Sequence, residues 1–367
     1  MSSPRVAVSV VSYNHGRFLK HLFESLKLVS WPSEAWKIFL VDNASNDDTL
    51  ALAKNELIDE ARGVVKGAAI PATLIALSTN TGFTGANNLV MRRMLAEGYD
   101  YVFLLNPDTV VTPEFLAKAV AGAEGDDRIG VVQSLLLVEQ SPDRVNSWGN
   151  EVHYLGFSFC GGYGVDKNSP LAKQHLVWRE IPSASGAAML LRRKAIEEVG
   201  MFDEWLFAYH DDVDLCWRIR LAGFRVMFCP DSVVYHHYEF SRSIAKYYFM
   251  ERNRFWVQAK LLRIRTLFLI ALPLVAMEFG LWFMAARSGW WREKGRAYRD
   301  FLSLKTWKQL SRERKKAQQS RRIPDRAVVK FFSPFLRYQE TRNALWEHFG
   351  DLWFGAFWRL ARWMIRW

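Results

Sequence analysis

The sequence predicts an α/β fold built on a doubly wound, mostly parallel sheet flanked by helices, with a carboxyl-terminal helical extension of different character. Three observations predict it. Four units of strand followed by helix succeed one another in the first ~110 residues, the pattern of a parallel sheet with helical crossovers. Each predicted strand ends in polar, turn-forming residues, which gathers those residues along one rim of the sheet. Composition then breaks near residue 240. Residues 1–240 carry 22 Lys and Arg against 29 Asp and Glu, a net charge of −7. Residues 241–367 carry 27 against 9, a net of +18, and hold 10 of the 16 Trp, so the two regions have different partners.

The first strand, residues 6–11 (VAVSVV), is apolar and β-branched throughout, as a central strand covered on both faces must be. It ends at Ser12, Tyr13 and Asn14, and a helix is predicted from Arg17 to about Leu28. The second strand, 38–41, runs into DNASNDDT, which opens on Asp42, and then into a helix over 50–61. The third, 73–77, ends in STNTGFTGANN, with Asn80, Gly82, Phe83 and Asn87, before a helix over 89–96. Gly82 and Gly85 either let a ligand approach the backbone or relax a tight turn. The fourth strand, 101–105 (YVFLL), stops at Asn106-Pro107-Asp108, because proline has no N–H to give the ladder. In an open α/β sheet, ligands sit at the carboxyl ends of strands, which makes Asp108 a candidate for chemistry. The same tripeptide also reads as plain turn chemistry. A rim carrying Asp42, Asn80, Gly82 and Asp108 suits a nucleotide, and the lack of GxGxxG and GxxxxGK[ST] argues against dinucleotide dehydrogenases and P-loop NTPases.

Residues 129–138 read as a strand pair, and the glycine- and aromatic-rich stretch 148–164 as a loop that covers a pocket or packs on its own rings. Residues 184–191 (ASGAAMLL) form a strand whose small side chains let something lie close above it. In residues 207–225, Asp211 or Asp212 opens a helix, Asp214 and Arg218 share one face, and Gly223 stops it. Acidic residues in a first turn complement the helix dipole. Three carboxylates in four positions also repel one another, which points to something positive or protonatable held there. Short strands at 226–229 and 232–235 lead into His236-His237-Tyr238, and His236 is a candidate to join Asp108 on a divalent cation.

Cys160, Cys216 and Cys229 include no CxxC pair, so neither a disulfide framework nor a zinc site is indicated and a reducing compartment is expected. The amino terminus has no apolar stretch of signal-peptide length, which suggests the cytosolic side.

Taken together, SYNHGRFL, VDNASNDDT, NTGFTGANN, LLNPDTVV, ASGAAML, HDDVDLCWRIRLAGFR and CPDSVVYHH resemble the inverting family-2 glycosyltransferases. Within them the chain is similar to the rhamnosyltransferase-like and galactofuranosyltransferase-like branch that builds bacterial surface polysaccharides. The likeness covers about residues 5–240. It implies a GT-A fold, a nucleoside diphosphate sugar donor, and Mg2+ or Mn2+. On that resemblance Ser12, Tyr13, Asn14 and Asp42 hold base and ribose, and the segment from Asn80 through Gly82 and Phe83 to Asn87 lies along nucleotide and sugar. Asn106-Pro107-Asp108 stands where the family has a DxD motif, with asparagine at the first acidic position, so Asp108 is the main metal ligand and His236 completes the shell. Asp211 and Asp212 match the acidic pair from which the acceptor base is drawn, and the sequence does not separate them. A single displacement with one base predicts inversion at the anomeric carbon. Rhamnose from dTDP-rhamnose, passed to a lipid-linked or glycan acceptor, is the expected reaction.

In the extension, residues 266–286 are apolar but for Glu278 and flanked by arginines, which fits a membrane span, an interfacial helix or a helix packed on the catalytic domain. Residues 312–322 are a basic run, and 344–367 read as an amphipathic interfacial helix. Anionic headgroups of the cytosolic leaflet attract each nearby basic residue by about 1 kcal/mol, so attachment to that surface is expected. A basic nucleic-acid-binding protein is the rival reading. It is disfavoured because the basic residues sit beside an apolar segment and outside the acidic domain, and no nucleic-acid partner is expected. A catalytically idle scaffold of the same fold is the third. Oligomeric state is not legible.

Overall fold

The structure, a computed structural model, describes residues 3–238, 244–336 and 344–367. Its centre is a ten-stranded sheet. In chain order the strands are β1 (Val6–Ser12), β2 (Trp36–Asp42), β3 (Ala72–Ala76), β4 (Tyr101–Leu105), β5 (Thr109–Val111), β6 (Ile129–Val138), β7 (Ser141–Ser147), β8 (Arg179–Glu180), β9 (Ala188–Arg192) and β10 (Arg225–His236). The spatial order is β8-β10-β6-β9-β4-β1-β2-β3, with β5 added to β10 and β7 to β6. Strands β3, β2, β1 and β4 are parallel, as expected, and β9 enters antiparallel between β4 and β6. The chain steps from β1 out to β3 and then returns to the other side of β1 with β4. The switch point therefore lies between β1 and β4, where a crevice opens at the carboxyl ends.

Helices α1 (Gly16–Leu26), α2 (Gly82–Glu97), α3 (Phe115–Glu124) and α4 (Asp211–Leu221) cover the two faces. Apolar side chains alternate between clusters on opposite faces: Val6, Val8 and Val10 join one, Ala7 the other. Three expectations are corrected. The helix expected over 50–61 lasts only from Thr49 to Leu52 before a wider turn and a short strand, Ile58–Asp59. Residues 129–138 are one long buried strand, held by β10 on one side and β9 on the other, and 226–235 is likewise one strand with a bulge after Cys229. The segment expected as a loop up to Asn88 is already helical from Gly82, because Asn80 Oδ1 accepts the Gly82 N–H at 2.8 Å and organises the first turn.

The extension holds α5 (Ile244–Leu261), α6 (Ile264–Arg287), α7 (Trp291–Phe301), α8 (Leu304–Gln319) and α9 (Ala344–Met364). A third apolar cluster joins Trp256, Leu261, Phe332 and Trp358 to Tyr154, Leu206, Val213 and Trp217, so packing continues without a break across the expected boundary at 240. Helix α6 is long and apolar enough to cross a membrane by length and composition. It turns Thr266, Ile270, Pro273 and Ala285 inward, and Glu278 toward Arg254, Lys294 and Tyr298. The opposite side exposes Phe268, Leu272, Val275, Phe279 and Phe283, spaced three or four residues apart.

Candidate functional site

The crevice is built first from the ends of β1 and β2, whose last rung pairs Ser12 with Asp42. Both are buried, and Ser12 Oγ and Asp42 Oδ1 have no hydrogen-bond partner within the protein. Buried polar atoms are normally satisfied, so these two point to a ligand that supplies the missing groups. Asn14 adopts φ 57°, accepts the Asn46 N–H at 2.8 Å and donates its own N–H to Ser45 Oγ at 3.0 Å, which clasps the two loops together. Tyr13 is exposed beside them.

Asn43 holds the next segment. Its Nδ2 donates to Asn80 Oδ1 and to the Gly82 carbonyl, both at 3.1 Å, and its Oδ1 accepts the Thr81 N–H at 2.9 Å. Asn80 thus spends its carbonyl oxygen on shaping the turn. Gly82 has φ 72°, and a Cβ there would stand 2.4 Å from the Phe207 carbonyl oxygen, so this glycine serves close backbone approach as well as the turn. The half-buried Phe83 ring lies against Gly186 and edge-on to Phe202, 5.8 Å away. Asn87 lies apart from the exposed rim. It is buried under the sheet, where it accepts from Ser9 Oγ at 2.7 Å and donates to the Phe83 carbonyl at 2.9 Å, so helical periodicity turns it inward.

Past β4, Asp108 meets the end of β10. His237 N–H donates to the Asp108 carbonyl at 2.8 Å, and His236 Nε2 stands 3.4 Å from Asp108 Oδ1, which has no other partner. His236 Nδ1 is 3.0 Å from Asn146 Oδ1 and donates to it, which leaves Nε2 as a lone pair facing a carboxylate oxygen. Two acceptors face to face are compatible with a shared cation or proton. Burial raises the Asp108 carboxyl, but with a proton shared between them the His236 imidazolium, with the charge of His15 further off, holds it below the ordinary carboxylate range. Among the described residues no group of three or more His, Cys, Asp and Glu could hold a metal alone. A carboxylate and an imidazole nevertheless fit a divalent ion such as Mn2+, which accepts both oxygen and imidazole donors and can complete its shell with water and substrate phosphates. Asn106 is half-buried and donates its N–H to the Ala187 carbonyl at 2.9 Å.

Asp211 and Asp212 open α4. Asp211 is buried, and burial, then the charges of Asp212 and Asp214, push its carboxyl well above the ordinary range. Burial pushes Asp212 up to about 6, against N–H groups of Val213 and Gly186 and the Asn150 amide. Asn150 Nδ2 donates to Asp212 Oδ2 at 2.9 Å. Asp214 belongs elsewhere: fully buried, it pairs with Arg218 at 2.8 Å and Lys260 at 2.9 Å. Those cations answer the repulsion that three neighbouring carboxylates would otherwise carry.

The two acidic clusters converge. Asn106 is bonded to Ala187 and Asp212 to Gly186, the adjacent residue. Asn146 and Asn150, four positions apart, reach His236 and Asp212 respectively. Gln133 locks both connections, accepting the Ser185 N–H at 2.6 Å and donating to Ser147 Oγ at 3.3 Å.

Residues 4–259, more than half the chain, match the model of the glycosyltransferase-like family 2. The chain belongs to this family. Among relatives of this glycosyltransferase is an N-acetylglucosaminyl-diphospho-decaprenol L-rhamnosyltransferase of Mycobacterium tuberculosis, 25% identical over 63% of the chain and 75% of the relative. The rhamnosyltransferase WbbL of Escherichia coli is 24% identical over 64% and 84%. Two solved structures share the fold. A mannosyltransferase from Pyrobaculum calidifontis, in complex with GDP-Man and Mn2+, aligns over 87% of both chains with a TM-score of 0.51 and 18% identity. GalNAc-T7, solved with UDP, GalNAc and Mn2+, aligns over 71% of this chain with a TM-score of 0.54 and 17% identity. This glycosyltransferase spans 48% of the GalNAc-T7 chain.

Sequence reasoning passed over Asn43, Gln133, Asn146, Asn150 and His15, whose hydrogen bonds surround the crevice. Asn43 lies inside the motif VDNASNDDT, and Asn150 inside the glycine- and aromatic-rich stretch 148–164. Gln133, in the middle of an apolar strand, was the one visible sign of a buried polar node.

Proposed function

We propose that this glycosyltransferase moves rhamnose from dTDP-rhamnose to a lipid-linked acceptor at the cytosolic membrane surface, with inversion and with Asp212 as the base. The observation that supports the reading is the junction at Gly186 and Ala187, where Asn106, two residues before Asp108, is bonded to Ala187 and Asp212 is bonded to the adjacent Gly186. Ser12 and Asp42 offer unpartnered polar atoms to the nucleoside, and Tyr13 offers an exposed ring face to the base. Phe83, fixed against Gly186, excludes water near the sugar.

Asp108 and His236 would hold a Mg2+ or Mn2+ ion, and Asn146 fixes the imidazole tautomer that this needs. When bound, such an ion supplies positive charge beside the departing diphosphate. Asp212 is the better base of the pair: with a carboxyl at about 6 it is ionised at neutral pH yet basic enough to take a hydroxyl proton. Asp211 is the more deeply buried of the two, and burial, then the charge of Asp212, pushes its carboxyl well above the ordinary range, which leaves Asp212 the more accessible base. The acceptor hydroxyl gives its proton to Asp212 as its oxygen attacks the anomeric carbon, and dTDP departs from the opposite face.

Attachment to the membrane through the exposed side of α6 fits a lipid-linked acceptor better than a span does. A span would carry Glu278 and its partners Arg254 and Lys294 into hydrocarbon. The M. tuberculosis relative is named for a decaprenyl diphosphate acceptor, which supports the same class here. The test is release of dTDP from dTDP-rhamnose in the presence of a polyprenyl diphosphate-linked acceptor, with Mn2+ and with chelator. Turnover that requires both acceptor and divalent ion is expected. Turnover indifferent to chelator removes the metal assignment, and no turnover with this donor while another nucleotide sugar is consumed removes rhamnose.

A further inference from the structure

The segment that leads into α4 is strained. Phe207, Tyr209 and His210 have φ of 65°, 66° and 60°, three non-glycine residues in the left-handed region within four positions. Each such residue carries backbone strain and persists only where its surroundings over-determine it. The surroundings here come from the extension. Asn253, fully buried on α5, directs Nδ2 at the carbonyls of Leu206 at 2.9 Å and of Ala208 and Tyr209 at 2.8 Å. Its Oδ1 accepts from Arg252 Nε at 3.0 Å, which fixes the amide orientation. Arg252 in turn donates to the Trp205 carbonyl at 2.7 Å and the Leu206 carbonyl at 3.0 Å, with its guanidinium 3.9 Å above the Trp205 ring. On the other side, His210 Nε2–H donates to the Gly156 carbonyl at 3.0 Å, and the Phe207 carbonyl accepts the Thr84 N–H of α2 at 3.2 Å. The strained segment is thus gripped between α5 and the donor-side helix, directly before Asp211 and Asp212.

We propose that Asn253, supported by Arg252, is a positioning residue for the Asp211–Asp212 pair, so that the extension shapes the base as well as serving attachment. The inference rests on the reading of that pair as the group that activates the acceptor. Among the described residues the hydrogen bonds of Asn253 and Arg252 run to Trp205, Leu206, Ala208, Tyr209 and Tyr248 and not to Ser12, Asp42 or Asn80, so the larger effect is expected on turnover rather than on donor affinity. Displacement of a reacting group by about 1 Å costs roughly a hundredfold in rate.

The test compares Asn253→Ala, which deletes the amide, with Asn253→Asp, which keeps its shape but sets an acceptor against three carbonyls. Donor Kd and the number of binding sites are measured by calorimetry with dTDP-rhamnose, and kcat is expressed per titrated site, so that any unfolded fraction drops out. The expected result is a donor Kd within about threefold of the parent and a kcat per site lower by about tenfold to a hundredfold, with Asp at least as damaging as Ala. A kcat per site within about twofold of the parent in both variants overturns the proposal, and so does a fall in donor affinity that accounts for the whole loss. Should neither variant yield donor-binding protein, Arg252→Lys, which keeps the charge but loses the planar fork, carries the same prediction and the same refutation. Asp212→Asn in the same assay separates the two claims. Full turnover in that variant removes the base and this inference with it, whereas a dead Asp212→Asn beside active Asn253 variants removes this inference alone.

Discussion

Asp212 accepts a proton only when ionised, and burial pushes its carboxyl up to about 6. Turnover at saturating substrate is therefore expected to fall about tenfold per pH unit below about 6, and a profile flat down to pH 5 would contradict the assignment. The same group makes a stability prediction of opposite sign. Unfolded, an aspartate titrates at about 3.9, so a folded carboxyl raised to about 6 contributes stability below pH 3.9 that is lost as pH rises through 6. At about 1.4 kcal/mol per pH unit the penalty at pH 8 is on the order of 3 kcal/mol at most. Asp212→Asn should thus melt a few degrees higher at pH 8 by calorimetry, while turnover falls by about 10²- to 10⁴-fold. At the metal end, Asn146→Ala frees the His236 ring to turn and should raise the Mn2+ concentration for half-maximal activity by about tenfold or more, read from a Mn2+ titration. The meeting of Asp108 with His236 was legible because each stands where an apolar strand stops. Asn146 and Asn150 were not, since an asparagine's role depends on which distant strand it meets.

Among the elements, α6 carries the clearest division of labour. Glu278 is tied to Arg254 and Lys294 on its inner side, while Phe268 and Phe279 stand 78% and 74% exposed on the outer. Burying a phenylalanine in an apolar phase is worth about 1.5–3 kcal/mol. The double variant Phe268→Asp, Phe279→Asp should therefore lower binding to anionic vesicles at least tenfold in a flotation assay and leave transfer to a soluble acceptor intact; unchanged flotation would place the attachment elsewhere. Composition announced an apolar helix but left its depth open, because only tertiary contacts reveal that the one acidic residue faces the protein. The parallel strands were legible from their uninterrupted apolar runs. The helix expected over 50–61 was not, because the local pattern there favours a helix that β3 and the short strand at Ile58 override. The start of α2 was hidden by residues that usually mark turns, and only the Asn43 bridge to Asn80 shows why they begin a helix.

For the whole molecule, an acidic amino-terminal region and a basic extension of net +18 share one packed cluster, so the extension is continuous with the body that holds the crevice. Vesicle binding should weaken as salt rises from about 50 to 500 mM, by screening of the basic residues, with the apolar contribution left behind. Tight retention on RNA with release from vesicles would instead favour the nucleic-acid reading. The family and the sheet were legible because motifs at successive strand ends define one rim. The joining of the acidic pair to that rim was expected only through the family resemblance, because physically it depends on β9 entering antiparallel directly after Gly186 and Ala187. That junction is most directly tested by measuring donor affinity and turnover together in Asp212→Asn and Asp108→Ala, with dTDP-rhamnose and Mn2+. Two sides of one pocket predict that Asp212→Asn binds the donor as the parent does and turns over at least a hundredfold more slowly, while Asp108→Ala loses affinity and turnover together. Parent-like turnover in Asp212→Asn, or parent-like affinity with full activity in Asp108→Ala, would contradict it.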